Sequence, residues 1–427
     1  MKDYFEGIIG YEEIINQLKV ISDMLKNSDI YRKLGVDMTD GVILSGDPGL
    51  GKTTMAECFI KSTGRSSFTC RKKESDGEFL KKIGETFNKA EKNAPSIVLL
   101  DDIDKFSTPD KAGDDAEEFV AVQACIDEVR GKDVFVIATA NKLYKLPESL
   151  LRHGRLGTEI TLRHPDPKES KGIIRKYLSN AAIGPDVDPD VIGDVMNGES
   201  CAALEMVVKA AGMKAAFKRQ DFISMKDLID ACLDVQLGSV AMKPFNHEIT
   251  KRTAYHEASH AVVSEVLQPG NIMMISIRPG MSDNFGFAKY AREYQGESFD
   301  SMKREILIAL AGKASSELFV GDPDVGANED LQIAFNLLTF MVNKNCLYGF
   351  HNWDDGSNLL DLSAENRHLV VTSIMETYYL EAKRLLVLNR DMVDAIAMAL
   401  IEKTTLVYPE IREIIAKVKK ERNGHAA

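Results

Sequence analysis

Val42-Ile-Leu-Ser-Gly46-Asp-Pro-Gly-Leu-Gly-Lys52-Thr53 is an apolar run that breaks into G-x-x-x-x-G-K-T. Residues 54–60 continue it as a helical pattern, so strand, glycine loop and helix follow one another. The glycines of such a loop, Gly46, Gly49 and Gly51, let backbone N–H groups close around phosphate oxygens. Lys52 would reach the β- and γ-phosphates of a nucleotide, and the hydroxyl of Thr53, with Thr54 beside it, would serve Mg²⁺. Without its flanks the stretch would be a glycine-rich turn carrying a surface lysine. The strand before it and the helix after it favour the phosphate reading.

The next apolar run, 97–100, ends in Asp101 and Asp102. Two acids at a strand tip have no packing role and face solvent or a cation. Asp101 is expected to hold Mg²⁺ through its water shell, and Asp102 to act as general base for an attacking water. A third run, 134–138, leads to Asn141, an amide able to orient that water. Arg152 and Arg155 flank a glycine turn and could reach the nucleotide of a neighbouring subunit, or be surface charges. Short strands apolar on both faces, alternating with helices, indicate a parallel sheet covered on both sides. From 166 to about 235 the pattern is helical, with helices expected over 169–178, 201–217 and 224–235. Residues 238–250 are irregular, contain Pro244 and read as a linker. A mostly helical region follows, with extended pieces at 273–278 and 286–290.

Composition sets limits on all this. The chain has 427 residues, enough for two or three domains, and 44% hydrophobic content, so disorder and a disulfide scaffold are excluded. A net charge of −12 argues against nucleic acid as a partner, though not against a single nucleotide. Six cysteines form no C-x-x-C pair, which suits reduced thiols in the cytoplasm. No apolar run approaches the roughly 20 residues of a membrane helix, and no signal peptide is evident, so a soluble chain without a membrane span is expected.

His256-Glu257-Ala-Ser-His260 is H-E-x-x-H. On a helix, residues i and i+4 share a face, so both imidazoles can reach one metal ion. Glu257 can take a proton from a metal-bound water and pass it to a leaving amine. Tyr255, Ala258, Val262 and Val266 give this helix an expected buried side. Catalytic zinc takes three protein ligands. The third must come from further along, and Asp330 and Glu329 are rivals at the start of a helix striped by Leu331, Phe335, Leu338 and Val342. Either acid could equally be there for the helix dipole.

Taken together, these motifs are identified with known families. Residues 5–235 resemble an AAA+ ATPase module, through 8–10, the glycine loop, 138–141 and 150–155. The resemblance implies adenine-side contacts from Ile8 and Gly10 and arginine fingers at Arg152 and Arg155. With the linker and Ala254-Tyr-His-Glu-Ala-Ser-His260, and with 311–318, 326–331, 385–391 and 402–406, nearly the whole chain resembles the FtsH family of ATP-dependent zinc metalloproteases. This implies an AAA+ α/β subdomain at 1–165, a helical lid at 166–237, a linker at 238–250 and a mostly α-helical peptidase domain at 251–427. It also implies Asp330 as third zinc ligand, ATP with Mg²⁺, a homohexamer, and protein or peptide substrates paired to the strand near 286–289. Four departures stand out. The family's membrane helices are absent from this chain. Ser75 lies where the pore aromatic is expected, with Phe68 and Phe79 out of register. Asp102 replaces a glutamate, and the Asp-Gly-Phe signalling element has no clear match in 127–133. Two other readings stay open: a zinc peptidase whose ATPase gates rather than translocates, and a non-proteolytic remodelling ATPase.

Overall fold

The computed structural model describes residues 3–36, 41–72, 78–107, 116–238, 247–279, 285–291, 298–321, 327–347, 349 and 364–425. Ser75 lies outside these residues. The chain forms two compact units, Met1–Asn180 with Gly198–Met206, and Ala181–Asn197 with Val207–Ala427.

The first unit begins with helices α1 (Glu12–Lys26) and α2 (Ser28–Lys33). Then follow β1 (Gly41–Ser45), α3 (Lys52–Thr63), β2 (Ser66–Cys70), α4 (Phe79–Lys92), β3 (Ser96–Leu100) and α5 (Glu117–Val129). After them come β4 (Val134–Ala140), α6 (Glu148–Leu151), β5 (Thr158–Thr161) and α7 (Pro167–Leu178). The five strands are all parallel, in the order β2-β3-β4-β1-β5. Alternate residues feed opposite cores, as the period of two requires. Val42, Leu44, Ile97, Leu99, Phe135 and Ile137 pack with α1 and α3. Ile43, Val98, Leu100, Val136 and Ala138 pack with α4 and α5. The parallel register sets Leu44 beside Thr139 and Leu100 beside Ala138, so the loops after β1, β3 and β4 emerge together.

Edge strands β2 and β5 are absent from the expectation above. Their sequences, Ser-Ser-Phe-Thr-Cys and Thr-Glu-Ile-Thr, are largely polar. An edge strand is half solvated, so it need not carry the apolar run that marks a central one.

In the second unit, α8 (Pro189–Val195) and α10 (Met225–Leu237) accompany most of α9 (Cys201–Phe217), whose first residues belong to the first unit. Then come α11 (His247–Leu267), β6 (Ile272–Pro279), β7 (Phe285–Tyr290), α12 (Phe299–Ser315), α13 (Asn328–Asn343), α14 (Ala364–Leu388), α15 (Arg390–Lys403), β8 (Thr405–Val407) and α16 (Tyr408–His425). The strands make an antiparallel sheet in the order β7-β6-β8. Helix α11 begins at His247, within the expected linker. Of the expected stripe, Ala258 and Val262 are buried together with Ala254 and Ala261, Tyr255 packs half-buried against the same core, and Val266, 39% exposed, falls off it. That face packs on α12 and α15. No described helix is long and apolar enough to cross a membrane.

Candidate functional site

Two clusters of chemistry stand out, one in each unit. In the first, the loop after β1 needs glycine at 46, where φ is +135° and an added Cβ would lie 2.4 Å from the carbonyl of Leu162. Lys52, the first residue of α3, donates from Nζ to the carbonyls of Gly46 and Asp47 at 2.7 Å each. Thr53 donates to Asp101 Oδ1 at 2.9 Å, and Thr139 donates to the same oxygen at 2.8 Å. Asp101 is only 3% exposed. Thr54 is exposed on the first turn of α3. The backbone N–H of Asp102 donates to Thr139 Oγ1 at 2.8 Å. Its carboxylate meets Lys105 Nζ at 2.8 Å, Arg71 at 3.3 Å and Asn141 Nδ2 at 3.4 Å. Burial alone would raise the Asp102 carboxyl, but Lys105 and Arg71 outweigh it and hold it below the usual range. Buried Asp104, which the sequence reading passed over, accepts from the Asn141 N–H at 3.1 Å and fixes that turn.

On the other flank, Ile8 and Gly10 lead into Tyr11, whose N–H donates to Glu169 at 3.1 Å. The two arginines differ. Arg152 is exposed. Arg155 is 8% exposed and holds Asp127 through Nε at 3.2 Å and through a terminal nitrogen at 2.7 Å. It also donates to Gln123 at 2.7 Å and to the Ser149 carbonyl at 2.8 Å. Within this chain its guanidinium is therefore engaged by Gln123 and Asp127 of α5 and by the Ser149 carbonyl of α6.

In the second unit, α11 presents His256 and His260 on one face, with their Nε2 atoms 3.1 Å apart. Asp330, in the first turn of α13, places Oδ2 3.1 Å from the first and 3.2 Å from the second. Glu329 is exposed and takes no part in this cluster. Zinc with bonds of about 2.0–2.1 Å in tetrahedral geometry separates its ligand atoms by about 3.3 Å, so the three fit it. His260 Nδ1 donates to the Ile308 carbonyl at 2.8 Å, which leaves the Nε2 lone pair for a metal. Glu257 is 5% exposed beside them. Burial raises its carboxyl, opposed by the histidines.

Two glycines shape this centre, and neither was among the candidate site residues. A Cβ on Gly312 of α12 would lie 2.5 Å from His256 Cε1, 2.6 Å from His260 Nε2 and 2.7 Å from Asp330 Oδ2. A Cβ on Gly286 of β7 would lie 2.1 Å from Glu257 Oε1. Tyr290, on the same strand, is half-buried, with its phenol raised well above the usual range by desolvation and then by Glu257 and Asp330, so it stays neutral.

Two family models match the chain: ATPase family associated with various cellular activities (AAA), over residues 42–164, and peptidase family M41, over 244–414. Among the relatives is "ATP-dependent zinc metalloprotease FtsH 2" of Thermoanaerobacter sp. (strain X514), 28% identical, aligned over 96% of this chain and 82% of its own length. The "ATP-dependent zinc metalloprotease FtsH" of Halothermothrix orenii is also 28% identical, over 93% of this chain and 68% of its own length. The chain joins an AAA ATPase module to a peptidase family M41 domain and is FtsH-like. It is an ATP-dependent zinc metalloprotease, with Zn²⁺, ATP and Mg²⁺ as its cofactors.

A pH dependence of metal uptake follows for this FtsH-type centre. In the metal-free protein, burial opposes charge on His260, but Asp330 outweighs it and pushes the imidazole from 6.5 up to about 9. The raised value means that the proton is held below about 9, and that the stability of the His260–Asp330 pair is complete below 6.5 and lost through 9. A metal must displace that proton. Zinc affinity should therefore rise about tenfold per pH unit from 6.5 toward 9 and then flatten, read by competition with a chromophoric chelator. A flat profile over that range would contradict it.

Proposed function

We propose that the His256–His260–Asp330 cluster with buried Glu257 beside it cleaves peptide bonds within protein substrates, in a cytoplasmic homohexamer driven by ATP. That cluster is the observation that carries the reading. Bound there, zinc supplies a polarised water and positive charge for the scissile carbonyl oxygen. His256, His260 and Asp330 hold it. Glu257 takes the proton of the attacking water on a carboxylate oxygen and returns it to the leaving amine. β7 lies at the edge of its sheet, and an extended substrate can pair with its backbone.

For the motor, Lys52 and the loop N–H groups hold the phosphates. Thr53 and Asp101 serve Mg²⁺, Asp102 accepts the proton of the attacking water, and Asn141 orients that water. Ile8 and Gly10 line the adenine side, and Arg152 acts on a neighbouring subunit's nucleotide. The module runs over 1–165 with its lid at 166–237, joined by 238–250 to the peptidase domain, whose first helix starts at His247.

A second reading, gating without processive pulling, is favoured by two observations. The shortened base Asp102 is bound to Lys105 and Arg71, and Arg155 is committed to Asp127. One assay separates the two. An unfolded, casein-like protein and a tightly folded domain with an unstructured tail are incubated with ATP, without ATP, and with a zinc chelator. The motor reading expects both to be cut with ATP and neither with chelator. Cleavage of the unfolded protein alone favours gating, and chelator-resistant or absent cleavage rejects the peptidase.

A further inference from the structure

Arg71 is the residue that follows β2, the edge strand beside β3. Pairing of Cys70 with Leu100, and the Asp101 N–H donating to the Cys70 carbonyl at 3.0 Å, fix its backbone next to the acids that end β3. Its Nε lies 3.3 Å from Asp101 Oδ2, and a terminal nitrogen lies 3.3 Å from Asp102 Oδ2. The other oxygen of Asp101 is the one that receives Thr53. One carboxylate thus separates Arg71 from the hydroxyl next to Lys52, and the guanidinium touches the acid placed as general base. The Arg71 side chain is 53% exposed, so the guanidinium itself has room to move once another cation takes over its contact with the buried Asp101 carboxylate.

Phosphoryl transfer spreads charge over the equatorial oxygens of the γ-phosphate, and an arginine supplied from the same or a neighbouring subunit answers it. Arg155 already spends its guanidinium on Asp127, Gln123 and Ser149 in a buried setting. Arg71 is instead at the acids, half-exposed and aimed along them. When Mg²⁺ engages Asp101, it competes for the carboxylate that holds Arg71 Nε, and the γ-phosphate becomes the nearest strong anion for the freed fork.

We propose that Arg71 supplies, from the same subunit, the cation that stabilises transfer of the γ-phosphoryl group of ATP to water. The inference rests on the nucleotide site proposed above. In the step, the water oxygen forms a bond to Pγ and the bond from Pγ to the β–γ bridging oxygen breaks. ADP leaves with that electron pair, and the water's proton passes to Asp102. Arg71 forms no covalent bond and changes no oxidation state.

The test uses the full chain and its Arg71→Ala and Arg71→Lys variants. Binding of a fluorescent ATP analogue and retention of ADP with aluminium fluoride and Mg²⁺, a mimic of the transferring phosphoryl group, are measured beside ATP turnover. Arg71→Ala should bind the analogue within about threefold of the parent, lose retention of the mimic at least tenfold, and lose turnover by about a thousandfold. Arg71→Lys, which keeps the charge but not the fork, should recover part of both. Mixing Arg71→Ala with Lys52→Ala subunits should rescue nothing, because the arginine and the phosphate loop must share a chain. Undiminished retention in Arg71→Ala, equal loss of analogue binding and of retention, or rescue on mixing would each overturn the proposal. Failure of the parent to bind the analogue would instead remove the nucleotide site itself, and this inference with it.

Discussion

Glu257→Gln should abolish peptide-bond cleavage while leaving zinc in place. Glutamine has nearly the shape of glutamate, so it fits the slot against Gly286. It leaves His256, His260 and Asp330 untouched, so the metal content per chain should match the parent. What it lacks is a basic oxygen to take the proton of the attacking water. A general base contributes roughly 10²–10⁴ in rate. The environment of Glu257 suits that task, since burial raises its carboxyl from the ordinary 4.5 toward the range where it can accept and then release a proton. The checks are metal analysis of the purified variant and turnover of an unfolded protein at saturating concentration. A variant that keeps its zinc and still cleaves at a rate near the parent's would remove Glu257 from the role of base. Loss of zinc with loss of cleavage would make it a structural support for the ligands instead.

The parts of this protein that could be read directly from the chain are those whose chemistry is local. The glycine loop and the strand before it are contiguous, and so are the two histidines that a single helix turn brings together. The third ligand was not local. Asp330 and Glu329 are neighbours in the first turn of α13, and only the packing of α12 between α11 and α13 puts one of them at the histidines. The same holds for Arg71. Its approach to Asp101 depends on β2 lying beside β3, and β2 is too polar to have been read as a strand. Arg152 and Arg155 look alike in sequence. They part company because Asp127, on a preceding helix, captures one of them. The buried side of α11 was read only in part, with Val266 wrongly included, for a related reason. Small alanines at 254, 258 and 261 let α12 and α15 come close, whereas a reading based on bulk gave weight to Val266.

Gly312 offers the second large effect, and it sets two physical consequences of one methyl group against each other. Gly312 lies inside α12, a helix of 17 residues. Judged by helix propensity alone, Gly312→Ala stabilises by about 1 kcal/mol, because glycine costs backbone entropy that alanine does not. Judged by space, the new Cβ stands less than 3.0 Å from atoms of His256, His260 and Asp330 at once. Those side chains can yield only by leaving the arrangement that matches a metal, where ligand distances tolerate about 0.2 Å. The metal-free protein should therefore keep or gain thermal stability, while zinc affinity falls by at least about tenfold and cleavage falls with it. Asp330→Ala, which removes one of three ligands, sets the scale for full loss. Gly84→Ala is the control for propensity, being helical with no atom within 4 Å of the added carbon, and should leave zinc unchanged. Chelator competition and thermal melting with and without added zinc read both quantities. If Gly312→Ala binds zinc as tightly as the parent, the ligands have room to spare, and the bare α-carbon at 312 has no part in building the centre.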